Sequence, residues 1–207
     1  LCGVVWYDLR VGITRNRSVY VLLCMTFVLL AIFANSALQS ADVPLALSWT
    51  DYALYASRGT PIPMAGQPKV TFPMDWLLPQ VVLALLVAGS TSVDAGGYGV
   101  QVLYRAQSRA SWWSAMWICT VLTVLSSYAI AAITWLAACW GLGNGQLALQ
   151  PEVQATISGL DFADMTGGAI AGLLVLPVLT SLAISTIQMT LSLLIRPLIG
   201  ILVVIGY

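Results

Sequence analysis

Long apolar runs alternate with polar segments along the whole chain. The runs 19–37, 76–93, 113–140 and 167–194 contain no charged residue. A bilayer core about 30 Å thick takes about 20 residues of helix, so each run predicts a transmembrane span. The third is longer than a bilayer needs and is expected to tilt or project from it. Pro79 falls near the start of the second run, where a missing N–H is tolerated, and Pro177 is expected to break or kink the fourth. A last run, 198–207, is about half a span long and predicts the start of a fifth in a chain that continues. The expected fold is an all-α polytopic membrane helix bundle, a single transmembrane domain over 1–207 with four full spans plus the start of a fifth.

The segments between the runs have distinct characters. Residues 1–17 interleave Val4, Val5, Trp6, Leu9, Val11 and Ile13 with Asp8, Arg10, Arg15 and Arg17. That mix predicts an interfacial helix with its arginines among the headgroups; the alternative is a cytoplasmic tail ordered by packing. A basic flank before an apolar run also describes a signal peptide, but 19–37 is longer than the usual apolar core of one. Asn16-Arg17-Ser18 fits the glycosylation pattern, yet its basic flank places it on the cytoplasmic side, which makes the match a coincidence. Between Gln39 and Asp75, Pro44, Pro61, Pro63, Pro68 and Pro73 forbid a continuous helix, while Trp49, Tyr52 and Tyr55 suggest a short piece resting at the membrane interface. Gly141-Leu142-Gly143-Asn144-Gly145 ends the third span, and the loop after it holds Glu152, Asp161 and Asp164.

Composition agrees with a membrane protein: of 207 residues 59% are hydrophobic and 8% charged, and the mean hydropathy is +0.91. The net charge is zero, so no basic excess points to nucleic acid. Placement of charge matters more than its sum. With the N-terminus inside, Arg10, Arg15, Arg17, Arg105, Arg109 and Arg196 are cytoplasmic and only Arg58 and Lys69 lie outside, six against two. The chain has no histidine, which excludes Ser-His-Asp and Cys-His catalysis and the HExxH zinc site. Lys69 lacks the GxxxxGK[ST] context, so this chain carries no phosphate-binding loop. Cys24, Cys119 and Cys139 fall in apolar runs, the last two about 30 Å apart on one helix, which predicts small buried hydrophobes rather than a disulfide or metal site.

No ionisable residue lies near the middle of a run; Asp75 and Asp94 sit at span ends, where carboxylates are ordinary. The polar residues of the fourth run are neutral, and Ser181, Ser185, Gln188 and Ser192 recur at helical spacing. Such a stripe either lines a substrate path or hydrogen-bonds neighbouring helices. Gly168 and Gly172 form a small-xxx-small pair that predicts close helix packing. Gly96, Gly97 and Gly99 do not make GxGxxG, and let the chain turn out of the second run. They open the connector 94–112, where Arg105 and Arg109 share a helical face ahead of Trp112 and Trp113. These arginines pair either with carboxylates of a cytoplasmic protein or with lipid phosphates. No catalytic or metal-binding set emerges.

The chain resembles the membrane subunits of ABC-2-type exporters, the permease family that includes many bacteriocin, drug and polysaccharide export systems. Residues 6–13, WYDLRVGI, look like the amphipathic elbow helix before the first span. Residues 98–109, YGVQVLYRAQSR, with Trp112 and Trp113, look like the connector between spans two and three, where that family has an R-x-x-S-R stretch followed by aromatics. Residues 191–200, LSLLIRPLIG, look like its turn into span five. The resemblance implies a multi-pass cell-membrane permease with a cytoplasmic N-terminus. Its connector would be a coupling helix, with Tyr98, Gln101, Tyr104, Arg105, Ser108 and Arg109 meeting a separate ATP-binding subunit that carries the ATP and Mg. A second permease chain, the same or related, is implied beside the lipid bilayer. No cofactor is expected in this chain, and no catalysis by it alone. Two other readings fit the sequence: a membrane-embedded small-molecule binding subunit or carrier, and a non-transporting membrane scaffold. An intramembrane hydrolase fits least, lacking histidine and paired intramembrane carboxylates.

Overall fold

A computed structural model of the protein describes residues 14, 16–40, 46–58, 74–95, 109–142, 145–158 and 167–194. Among the described residues there are six helices and no strand: α1 (Arg17–Ser40), α2 (Trp49–Ser57), α3 (Met74–Ala95), α4 (Arg109–Gly141), α5 (Pro151–Ser158) and α6 (Gly167–Leu194). Three helical stretches, Arg17–Ser40, Trp112–Gly141 and Gly167–Ser192, are long and apolar enough to cross a bilayer. The chain is a multi-pass helical membrane protein.

Among the described residues three helices are of membrane length, against the expected four full spans plus the start of a fifth. The run at 76–93 is the one that fails. Its apolar stretch is Met74–Gly89, which rises about 24 Å at ~1.5 Å per residue against a core of about 30 Å. α3 itself runs on as a helix to Ala95. The expected fifth run at 198–207 lies outside the described residues, as does the expected interfacial helix at 1–17 apart from Thr14, Asn16 and Arg17.

Both helix prolines lie within helices. Because α3 begins at Met74, Pro79 lies inside it, where the missing N–H is the one that would have reached the Asp75 carbonyl. Pro177 lies within α6, which continues through it to Leu194 instead of breaking. At the other end of α1, the Asn16 carbonyl accepts hydrogen bonds from the Val19 and Tyr20 amides and so closes the first turn.

The chain forms two compact units. The first comprises Leu1–Leu23, Gln80–Ala129 and Val178–Tyr207. Its core gathers Val87 of α3, Met116 of α4 and Met189 of α6, with Trp112 packed against them. In lipid, contacts of this kind stabilise through van der Waals fit rather than removal from water, and the two unbranched methionines fill irregular space. The Asn16 side chain lies against Gly89 of α3, 2.8 Å from where a Cβ would stand. The one glycosylation pattern in the segment is therefore a packed side chain.

The second unit comprises Cys24–Pro79 and Ile130–Pro177. On α1, Phe27, Leu30, Ala31, Ala34 and Leu38 recur at helical spacing and are buried, while Met25, Leu29, Ile32 and Phe33 are exposed. On α4, Ala131, Trp135 and Cys139 make the matching buried face. Phe27 meets Trp135 edge-on, with ring centroids 5.5 Å apart and planes at 80°. Fully buried Ala34 and Ala131 fit the rule that small residues let membrane helices approach.

Candidate functional site

The polar stripe of α6 is real, and it belongs to the first unit. Ser181, Ser185, Gln188 and Ser192 are all buried. Ser181 is the hub: its hydroxyl accepts from Nε2 of Gln80 on α3 at 2.5 Å and lies 2.8 Å from the hydroxyl of Tyr128 on α4. Gln188 donates from Nε2 to the Ala84 carbonyl of α3 at 2.8 Å. These bonds join α6 to both neighbours, so Ser181 and Gln188 take the interhelical role. Ser192 is different, since its buried hydroxyl has no hydrogen-bond partner among the described residues.

The other hydroxyls of α4 turn mainly inward on their own helix. Thr120, Thr123 and Ser127 each donate to the carbonyl four residues back, the habit of Ser and Thr in apolar surroundings. Thr120 also lies 3.3 Å from the Met189 sulfur, and Tyr20 of α1 reaches Ser126 at 3.4 Å. Every one of these groups is neutral. The site can hold hydroxyl, amide or apolar groups, but it offers no charge with which to move a proton or bind an ion.

The second unit holds a different polar centre, built on a carboxylate. Ser48 and Asp51 form a capping box at the start of α2, in which Asp51 accepts from the Ser48 amide at 2.9 Å and the Ser48 hydroxyl at 2.6 Å. Its other oxygen accepts from Nε2 of Gln154 on α5 at 3.0 Å and from the Gln150 amide at 3.5 Å. Asp51 is fully buried, and these donors together with the helix N-terminus take the place of water around its charge. Nearby, Asn35 of α1 donates to the Tyr52 hydroxyl at 2.6 Å. Burial holds the Tyr52 hydroxyl above the ordinary tyrosine value of 10.0, against the opposing pull of that Asn35 bond.

Tyr52 and Tyr55 are buried inside the unit. Burial likewise raises the Tyr55 hydroxyl, opposed by Arg58, whose guanidinium stands 3.9 Å over the Tyr55 ring. Arg58 also pairs with Asp75 through Nε and an Nη at 2.9 and 2.7 Å. Asp75, one of the two span-end carboxylates, is thus committed to an ion pair. The Cys139 thiol donates to the Gln146 carbonyl at 3.2 Å and points also toward that of Leu47, in keeping with a buried structural cysteine. Among the described residues no group of acidic, cysteine and histidine side chains is placed to hold a metal.

Residues 22–207 match the family described as "Protein of unknown function (DUF2705)". The chain belongs to that family. No curated protein and no solved structure matches it. In this DUF2705 chain the connector is described only at its ends: α3 runs to Ala95, and α4 begins at Arg109 with Trp112 and Trp113 in its first turns. Tyr98, Gln101, Tyr104, Arg105 and Ser108 lie outside the described residues. Gly168 and Gly172 are open, with no atom near enough among the described residues to meet a Cβ at either, so the close packing expected there is absent among those residues.

Several of these residues escape a reading of the sequence alone. Gln80 and Tyr128 are single polar residues in apolar runs, and the signal available was that isolation, which demands a partner. Asp51 carried a stronger signal in the Ser48-x-x-Asp51 box. Its partners Gln150 and Gln154 are about a hundred residues away, and nothing local announces them.

Proposed function

We propose that this chain is the membrane-spanning permease subunit of an ATP-driven exporter, energised by a separate ATP-binding subunit that docks on the 94–112 connector. The observation that carries this reading is the form of α4. It is one unbroken helix of 33 residues that starts at Arg109, inside the connector, and runs on as a membrane-length span. A push on the arginine-bearing end is a push on a rigid rod, and it reaches whatever packs on Met116, Thr120 and Ser127. The neutral, largely self-satisfied interior of the spans favours the same reading, because energy that is not taken from an ion gradient has to arrive mechanically.

In this mechanism the partner holds ATP and Mg and does the hydrolysis, and this chain contributes no catalytic group. Tyr98, Gln101, Tyr104, Arg105, Ser108 and Arg109 form the docking surface, with the arginines facing carboxylates of the partner. Closure of two ATP-binding subunits rocks two permease chains, the same or related, between inward-open and outward-open states. The N-terminus is cytoplasmic, in line with the six basic residues that this orientation places inside. Ser192, with its unpartnered hydroxyl, is the member of the α6 stripe left to meet a transported molecule. Replacing Arg105→Glu together with Arg109→Glu is expected to abolish substrate-stimulated ATP hydrolysis in reconstituted vesicles while the chain still inserts. Unchanged stimulation would sink the docking assignment.

A further inference from the structure

Two of the described helices carry a proline in their interior, Pro79 in α3 and Pro177 in α6. Pro177 removes the amide that would have bonded the Leu173 carbonyl, as Pro79 does for that of Asp75, and each ring crowds the carbonyl it leaves. In lipid the backbone bonds hold a helix to its line, so a turn that lacks one is where bending costs least. α1 and α4 have no such turn: α1 contains neither proline nor glycine, and α4 has only Gly141, its last residue. The same prolines are boundary residues. The second compact unit stops at Pro79 and again at Pro177, and the first resumes at Gln80 and at Val178.

Beside both prolines stands one polar cluster. Gln80 follows Pro79 directly, and Ser181 comes one turn after Pro177. The Gln80 amide donates to the Ser181 hydroxyl at 2.5 Å, Tyr128 of α4 meets that hydroxyl at 2.8 Å, and Tyr128 and Gln80 bond each other. Gln80 and Ser181 are buried, where water does not stand in for a lost partner. A bend at either proline moves the residue beside it against the other two, at the cost of these bonds.

We propose that α3 and α6 are jointed at Pro79 and Pro177, and that the Gln80–Ser181–Tyr128 cluster is a latch that holds both joints in one setting. Tyr128 belongs to a helix without a joint, so a displacement of α4 acts on both joints through one side chain. The device is a property of this chain alone and stands whether or not an ATP-binding partner drives it.

Methyl relaxation dispersion on the full chain in lipid nanodiscs tests this, because it reads the microsecond-to-millisecond range in which hinges move. Ser181→Ala is expected to raise the exchange contribution about twofold or more at Leu77 and Leu78 of α3 and at Leu173 and Leu176 of α6, with Leu122 and Leu125 of α4 unchanged. Adding Pro177→Ala restores the missing amide, and should return Leu173 and Leu176 to the native level while Leu77 and Leu78 stay raised. No rise on α3 and α6 in Ser181→Ala would overturn the proposal, since nothing would then have been held. A rise shared equally by α4 would mean general loosening, and a rise on α6 that Pro177→Ala fails to remove would place the motion elsewhere; either result overturns it as well. The measurement needs no ATP and no second subunit, so its outcome is separate from that of the docking assignment.

Discussion

Removing the Ser181 hydroxyl should destabilise the protein by an amount that depends on whether Gln80 is present. Ser181 receives the Gln80 amide at 2.5 Å and meets the Tyr128 hydroxyl at 2.8 Å, and Tyr128 also hydrogen-bonds Gln80, so the three side chains close a network in which Ser181→Ala breaks two bonds and leaves the third. Hydrogen bonds between membrane helices average about 0.6 kcal/mol and reach about 1.7 kcal/mol, since the unfolded chain in lipid also finds partners. A buried donor left without an acceptor adds its own penalty of about 1–3 kcal/mol. The Gln80 amide keeps Tyr128 as a partner when Ser181 is lost, so Ser181→Ala is expected to cost about 1 kcal/mol, as is Tyr128→Phe. Gln80→Leu removes one of the same bonds, so its loss and that of Ser181→Ala should not add, giving a coupling of about 0.5–1 kcal/mol. Reversible unfolding in mixed micelles of dodecyl sulfate and a mild detergent, followed by circular dichroism, measures all four corners of the cycle. The reasoning fails if Ser181→Ala costs nothing measurable, or if the two add to within about 0.3 kcal/mol.

Other consequences are as open to measurement. Asp51→Asn keeps one acceptor oxygen but sets an amide against donors on Ser48, Gln150 or Gln154; a loss of about 2–3 kcal/mol is expected, read as faster hydrogen exchange in α2 and α5. Alkaline pH should weaken the second unit. Tyr52 and Tyr55 have folded values above 10.0, so their contribution is complete below that pH and is lost as pH rises from 10.0 through the raised folded values. Thermal melting should accordingly fall less steeply above pH 10.0 in Tyr52→Phe than in the native chain, and equal slopes would remove Tyr52 from the account. Gly145 has φ of 71°, a left-handed conformation that a side chain makes sterically costly, and Gly145→Ala should cost about 1–2 kcal/mol in the same unfolding assay.

The long helices were legible because nothing in their sequences argues against them, and α6 has the bounds that its apolar run predicts. α4 starts earlier than its apolar run, since Arg109, Ala110 and Ser111 are acceptable in a helix and hydrophobicity alone does not report them. For α3 the described apolar stretch, Met74–Gly89, is shorter than the run 76–93 and the helix around it, and it is not among the three of membrane length. α5 was missed although Pro151 at its first position and Glu152 in its first turn are ordinary starting signals. For the sites, spacing put Ser181, Ser185, Gln188 and Ser192 on one buried face, and it left open whether they bind a substrate or a helix. Only the positions of Gln80, Ala84 and Tyr128 decide that for Ser181 and Gln188, and those depend on which helices pack together, which a single chain's periodicity does not encode.

The central claim concerns a partner, and isolation of the intact complex tests it most directly. The chain, extracted from its native membrane in mild detergent and purified by a tag at one end, is expected to bring with it a subunit that carries Walker motifs and hydrolyses ATP. Recovery of the chain without such a subunit, reproducibly and across detergents that keep it folded, would contradict the account.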